Sequence, residues 1–296
     1  LEGNIRNNKP MPANFTPLQT GALSERSQLC DVRTSGNIRV KVSETGSLKP
    51  VNDANVLYKI IDESCYIGST QVDGMLTEKF PVGIGGYVNI IKDGYIGKVA
   101  EFDPKPDASD TININVQPIY TKKLIVKKKN VVKTPQGWQF VDMPLELNAK
   151  ESASITLNRL KEENELDFPS IANYEGQQKE PSEIELAPGT YVADVTLVLN
   201  EKIVIPEKEK CEGTIIEECY TVPKVEFGDN FPEGGLKTNI TITPNDLSKG
   251  TIMLYVVSID LASVPEQQRV IEDLDQIDKI EEYSNTHKSA LQPIFQ

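Results

Sequence analysis

Four cysteines are the residues whose chemistry this sequence constrains best: Cys30, Cys65, Cys211 and Cys219. Four cysteines allow three pairings. The economical pairing joins Cys30 to Cys65 and Cys211 to Cys219, since each bridge then lies within one expected domain. No Cys-x-x-Cys spacing occurs, which disfavours a zinc site. Disulfides are typical of oxidising compartments, so this pairing favours an extracellular or cell-surface protein. The alternative is four buried free thiols in a cytosolic protein.

The remaining reactive residue types form no catalytic constellation. The only histidine is His287, in a charged C-terminal segment where solvation is expected. The glycines around Gly83 precede neither a helix nor a Lys-Ser/Thr pair, so they do not make a phosphate loop. The acidic residues of segment 161–181 lack EF-hand spacing and are interpreted as a solvated charge run. A hydrolase that uses carboxylates such as Glu163 and Asp167 has the least support. We therefore expect no enzyme activity, no cofactor and no metal.

Trp138 and two asparagines are candidates for binding or modification. Trp138 is the only tryptophan and follows a turn, so it is expected to anchor a hydrophobic core. The alternative is that Trp138 and nearby tyrosines form a stacking platform for a carbohydrate or small ligand. Asn14 and Asn239 begin Asn-x-Ser/Thr sequons and are therefore candidate glycosylation sites.

Charge limits the classes of partner. The 296 residues include 31 basic and 44 acidic ones, a net charge of −13. This balance disfavours nucleic-acid binding, which needs a basic footprint. One basic run, residues 122–133, is interpreted as a lysine-edged strand that protects a sheet edge, with a membrane-headgroup or anion site as the alternative. No apolar run is long enough to span a bilayer. Because the chain starts at Leu1-Glu2-Gly3, it is expected to begin at a processing point, with any membrane anchor outside it.

The pattern of residues 54–95 predicts the fold. Four short segments alternate apolar and polar residues, and Asp73-Gly74 and Asp93-Gly94 separate them from their neighbours. Period-2 segments joined by Asp-Gly turns indicate antiparallel β-hairpins. Further alternating strands are expected before this stretch, at 37–43, and after it, at 96–102 and 111–116. About seven strands is the number expected for a β-sandwich.

The same stretch carries a family pattern. The residues that carry it are Ala54, Val56, Gly68, Thr70, Asp73, Gly74, Pro81, Gly83, Tyr87, Val88, Lys92, Gly94 and Tyr95. Residues 36–118 resemble the carboxypeptidase regulatory-like modules, small transthyretin-like sandwiches related in pattern to collagen-adhesin B-type repeats. The turn from Gly83 to Gly86 is longer than usual for these modules. The resemblance implies a structural or binding accessory.

Collagen-adhesin B-type repeats can carry a Lys–Asn isopeptide bond assisted by an acid. The corresponding residue types here are Lys41, Glu78 and either Asn113 or Asn115. Strand alternation, however, points Ile112, Ile114 and Val116 inward and both asparagines outward, which argues against the bond.

We therefore predict a mainly β protein of two Ig-like or transthyretin-like antiparallel β-sandwich units plus a C-terminal α-helix. The predicted parts are an extended N-terminal segment 1–36, the sandwich 37–118, a second sandwich-like domain 119–262 with a long 161–181 loop, and a helix and tail 263–296. The helix, 265–283, has an apolar stripe that is expected to pack on its own domain. Association with other cell-surface proteins or a second copy is the alternative for this stripe.

These features predict a non-enzymatic secreted or cell-surface ectodomain, of prokaryotic type, with a structural or adhesive role. The alternative is a carbohydrate- or small-ligand-binding module that uses Trp138 and neighbouring aromatic residues.

Overall fold

The computed structural model of the chain is mainly β and describes residues 28–178, 180–212 and 218–296. Among these, residues 28–42, 51–90 and 100–113 form one compact unit, unit 1. Residues 43–50, 91–99 and those from 114 onward form a second one, unit 2.

The first part of the chain forms short strands in the order that the alternating pattern predicted. They are β1 (Asn37–Glu44), β2 (Asn55–Ile60), β3 (Glu63–Ser69), β4 (Met75–Lys79), β5 (Gly86–Ile91), β6 (Tyr95–Ile96), β7 (Lys98–Glu101) and β8 (Asp110–Pro118). These strands make two four-stranded sheets, ordered β3-β2-β5-β7 and β4-β1-β8-β6. Burial alternates along β1 and β5, as expected for strands with one face in a core.

The Asp73-Gly74 turn shows why these strands form where they do. The Asp73 side chain accepts a hydrogen bond from the backbone N–H of Met75, at 3.0 Å, and Gly74 takes φ +73°. Both features suit the start of β4, because aspartate caps its own turn and glycine tolerates a positive φ. A helical turn, α1 (Gln28–Asp31), is joined to β3 by the Cys30–Cys65 disulfide.

Unit 2 contains the longer strands. They are β9 (Tyr120–Thr134), β10 (Gly137–Glu146), β11 (Glu151–Arg159), β12 (Pro169–Glu175), β13 (Ser182–Leu186), β14 (Gly189–Leu199), β15 (Ile203–Ile205), β16 (Lys208–Glu212), β17 (Glu218–Val222), β18 (Val225–Phe227), β19 (Phe231–Ile242), β20 (Thr251–Ile259) and β21 (Ile294–Phe295). The main sheet runs β10-β9-β20-β19-β14-β11-β12, with β13 on β9 and β21 on β20. β15 pairs with β18, and β16 pairs with β17.

The main sheet is antiparallel except between β9 and β20, which run parallel from the Thr251–Lys123 pair to the Ile259–Val131 pair. The sheet curls, because side chains of β9 and β11 meet although several strands separate them in the sheet order. Its interior is a continuous apolar core that includes Leu124, Ile155 and Leu254.

The basic run of residues 122–133 does not lie at a sheet edge, so the interpretation as a lysine-edged strand is wrong. It forms β9, which has β20 on one side and β13 and then β10 on the other. Lys128 and Lys129 are buried in this strand. The periodicity is misleading here because both lysines have carboxylate partners: Glu151 and Glu233 for Lys128, and Asp142 for Lys129.

The predicted long loop 161–181 is also wrong in part, because residues 169–175 form β12. β12 pairs along its whole length with β11. Ser170 and Ala172 are buried, so this strand does alternate, but with small side chains that give a weak hydrophobic signal.

The predicted C-terminal helix is present as a short helix, α3 (Ile280–Thr286), after a one-turn helix α2 (Asp275–Asp278). The rest of the predicted range 265–283 contains 3₁₀ turns at Glu266–Gln268 and Ile271–Leu274, and another 3₁₀ turn lies at Asp246–Ser248. Ile280 is buried, and Ile277 and Tyr283 pack against the core of unit 2. The apolar stripe thus covers its own unit; its use by a partner stays a prediction.

Candidate functional site

A buried charge cluster of Lys128, Glu151 and Glu233 is the most unusual polar feature of unit 2. The three residues come from β9, β11 and β19 and are at most 8% exposed. The Lys128 ammonium forms an ion pair with Glu151, and its Nζ lies 3.8 Å from Glu233 Oε1. Buried ions are stable only when they are paired and hydrogen-bonded. Lys128 therefore compensates two carboxylates at once.

The two carboxylates of the cluster differ in their other partners. Glu151 also accepts hydrogen bonds from the backbone N–H and the side-chain amide of Asn148, at 2.9 and 2.7 Å. Glu233 accepts one from the Ser258 hydroxyl at 2.9 Å, and its Oε2 has no partner among the described residues. Burial raises the pKa of Glu233 to about 7, and the Lys128 ammonium only partly counteracts this. Glu233 can therefore hold a proton near neutral pH, in a place closed to bulk solvent.

A second buried pair uses an acid from the segment expected to be a solvated charge run. Arg159, at the end of β11, forms ion pairs with Glu165 and Glu162, and only the Glu162 carboxylate is exposed. The Arg159 Nε also donates to the backbone carbonyl of Pro188, at 2.7 Å. Glu165 is thus a structural counter-ion, whereas Asp167 is exposed and lies 3.7 Å from Lys161. Neither arrangement leaves a pair of carboxylates facing an open cleft.

Trp138 lies on β10 and is half-buried. It packs against both apolar clusters of unit 2, the large core and a smaller cluster around Phe231 and Leu261. This placement is that of a core anchor. A stacking role for Trp138 stays a prediction, and titrating its fluorescence with glycans would test it.

Only one of the two candidate glycosylation sites lies among the described residues. Asn14 lies outside the described residues. Asn239 is exposed on β19 and lines a shallow polar groove with Asp194, Lys237 and Asn285. Its modification stays a prediction.

His287 is not the solvated residue that its charged segment suggested. Its imidazole stacks on the Phe140 ring, with centroids 3.9 Å apart and planes 9° from parallel. A half-buried histidine stacked in this way contributes packing to the end of α3. Contacts between residues this distant in sequence cannot be read from local periodicity.

The residue types that an isopeptide bond would need are all on the surface. Lys41, Glu78, Asn113 and Asn115 are exposed. The Asn115 side-chain carbonyl accepts a hydrogen bond from the Ser43 hydroxyl, at 2.9 Å. The outward orientation expected from strand alternation is therefore present, and the candidate acid Glu78 is exposed rather than buried.

The structure contains both economical disulfides, Cys30–Cys65 and Cys211–Cys219. The second bridge closes the β16–β17 hairpin. Beside this hairpin, Ile205, Val222 and Ile271 line an apolar cavity of about 200 Å³. Among the described residues, the one cluster with metal-ligand spacing consists of Glu209 and the two bridged cysteines. Disulfide sulfurs are not thiolates and do not hold zinc.

Comparison with known proteins identifies no family. No protein-family profile matches the chain, and no curated protein matches it. Within the described ranges, no helix is both long and apolar enough to cross a membrane.

Several solved structures show low similarity. The Bacillus anthracis TIE protein is 15% identical, with a TM-score of 0.28, over 76% of this chain. The match covers 34% of that protein, so this chain spans about a third of its length. The minor pilin of Streptococcus agalactiae is 10% identical, with a TM-score of 0.28, over 78% of this chain and 99% of the pilin. The major pilin subunit of Bacillus cereus is 9% identical, with a TM-score of 0.22, over 76% and 99%. Similarity this low establishes no common function.

Proposed function

We propose that the chain is a secreted or cell-surface structural or adhesive protein without enzyme activity, and that residues 36–118 are a carboxypeptidase regulatory-like module. The observation that carries the proposal is that each unit contains one disulfide bond. Structural disulfides persist in oxidising compartments and are rare in reducing ones.

The disposition of the charged side chains supports the non-enzymatic part. The buried acids of unit 2 are counter-ions of Lys128 and Arg159, inside a packed sheet. Acid–base catalysis needs a titratable group within hydrogen-bond reach of a substrate. Glu233 has a raised pKa, but its side chain is only 2% exposed. It lines none of the cavities described above, so a substrate could not reach it there.

Surface proteolysis tests the proposed location. Intact cells of the native source are treated with trypsin, and the protein is followed with an antibody in cells and in medium. We expect the protein in the medium, or on cells and lost after trypsin treatment. Protection from trypsin in intact cells, together with release only on lysis, would overturn the proposal. A cytosolic marker protein serves as the control for leakage.

A further inference from the structure

Two isoleucines on adjoining turns are the most exposed large apolar residues among those described in unit 1. Ile61 is 82% exposed and Ile84 is 89% exposed. The turns touch, because a Cβ on Gly83 would lie 2.3 Å from the Cδ1 atom of Ile60. Tyr87 is 40% exposed and lies in β5, three residues after Ile84. We call Ile61, Ile84 and Tyr87 the apolar rim.

The backbone conformation of Ile61 is unfavourable for an isoleucine and lowers the stability of the fold. Ile60 pairs with Glu63, so Ile61 and Asp62 form a two-residue hairpin loop. Ile61 has φ +52°, at the first loop position. Glycine is the usual residue where this position has a positive φ, and a β-branched residue there is an outlier. An isoleucine in the left-handed region loses stability through strain and contributes no burial. Folding alone does not account for this residue.

Carboxylates lie beside the rim. A groove of about 270 Å³ continues from Gly85 and is lined by Gly85, Gly86, Tyr87, Glu101, Phe102 and Asp103. The sequence around the two turns and this groove carries four acidic residues, Asp62, Glu63, Glu101 and Asp103, against Lys59 and Lys105. Glu101 and Asp103 are exposed.

We propose that the apolar rim and its acidic groove dock a segment of a partner protein that carries aliphatic side chains flanked by lysine or arginine. Isoleucine and tyrosine supply the apolar contact, and the carboxylates match the basic flanks. A second copy of the chain is a poor occupant, because both copies carry a net charge of −13. An anionic lipid surface is disfavoured by the same carboxylates. This contact would be the adhesive surface of the protein, so the inference rests on the proposed function.

The test uses the full chain and three synthetic octapeptides: alternating lysine and leucine, alternating glutamate and leucine, and alternating lysine and serine. Binding is followed by amide chemical shifts in ¹⁵N-labelled protein. We expect only the lysine–leucine peptide to bind, with shifts centred on residues 60–63, 83–87 and 101–103. The double variant Ile61→Gly/Ile84→Ser should weaken this binding at least about tenfold, since truncating two central apolar contacts typically exceeds 1.4 kcal/mol.

Leu48→Gly is the matched control, because Leu48 is also an exposed apolar residue with a positive φ, at +56°, but belongs to unit 2. This variant should bind the peptide like the native chain. A cooperative thermal unfolding transition of the double variant, at or above the native midpoint, shows that it folds.

Four results would overturn the proposal. They are no binding by the lysine–leucine peptide, equal binding by the glutamate–leucine peptide, shifts outside the three segments, and equal affinity in the double variant. Concentration-dependent dimers that the double variant abolishes would assign the rim to a second copy instead. Variant-sensitive sedimentation with phosphatidylglycerol vesicles would assign it to lipid. Because the peptide test needs no cells, its failure is separate from a failure of the trypsin test.

Discussion

Unit 1 buries two polar side chains among its described residues, Ser35 and Thr70, whereas unit 2 buries seven charged ones. Those seven are Lys128, Lys129, Glu151, Arg159, Glu165, Glu233 and Asp273. The two most exposed large apolar residues of the described chain, Ile61 and Ile84, lie on turns of unit 1. Unit 1 buries few polar side chains because its strands are short and alternating, with apolar residues at the inward positions. In unit 2, the long curled sheet brings non-neighbouring strands together, and the ion pairs join β9 to β11 and β19. An intact buried ion pair can add little net stability, but removing one partner is costly because it leaves an uncompensated buried charge.

The largest effect is expected from removing Lys128, the buried cation that two carboxylates share. We expect Lys128→Met to lower the free energy of unfolding of unit 2 by about 3–5 kcal/mol, because Glu151 and Glu233 lose their buried partner. Trp138 is the only tryptophan and packs in unit 2, so its fluorescence during urea unfolding measures this unit.

Lys127→Met is the matched control for this experiment. Lys127 is next along β9 and pairs at 2.7 Å with the exposed Glu146. Surface pairs contribute about 1 kcal/mol or less. Equal losses in the two variants would contradict the view that burial decides the effect.

The described residues of unit 1 include no buried charged side chain, so this unit should depend more on its covalent link. The Cys30–Cys65 bridge spans 35 residues and Cys211–Cys219 spans 8. In the chain-entropy model, removing the first costs about 4 kcal/mol and removing the second about 2.5 kcal/mol. Amide hydrogen exchange of the paired alanine variants measures each unit separately. A larger loss for the short bridge would reverse this order.

Stability of unit 2 should depend on pH through Glu233. Its pKa is raised from 4.5 to about 7 in the folded protein, so the folded state binds the proton more tightly than the unfolded state. The resulting stabilisation is complete below pH 4.5 and is lost as the pH rises through about 7, a change of about 3 kcal/mol at most. Glu233→Gln should remove this component from the pH dependence of urea unfolding. An unchanged pH profile in the variant would show that Glu233 is not the cause of the pH dependence of stability.

The smallest effect concerns the turn in unit 1. Ile61→Gly should raise the free energy of unfolding of unit 1 by about 0.5 kcal/mol, because relief of the positive-φ strain exceeds the added entropy of the unfolded chain. Hydrogen exchange of β2 and β3 amides measures this change. A loss of stability would mean that the Ile61 side chain contributes to the fold, and would remove the reason to assign it to binding.

Local pattern predicted much of unit 1 and less of unit 2. The Asp73-Gly74 turn and the alternation of β1 and β8 depend on near neighbours in the sequence, so the strands could be placed from the residues alone. The disulfide pairing followed from spacing. The parallel β9–β20 pair could not be predicted, because its partners are more than a hundred residues apart. The buried charge cluster was missed for a related reason: Lys128 looks like any lysine in a basic run until Glu151 and Glu233 are brought to it by the curl of the sheet.

The redox state of the cysteines in the native source shows whether the protein is disulfide-bonded, as a secreted or surface location requires. Cells and medium are treated with iodoacetamide before lysis, and the intact mass of the protein is measured without and with reduction. We expect no alkylated cysteine before reduction and four after it. Four alkylated cysteines before reduction would contradict both the disulfides and the secreted or surface location inferred from them.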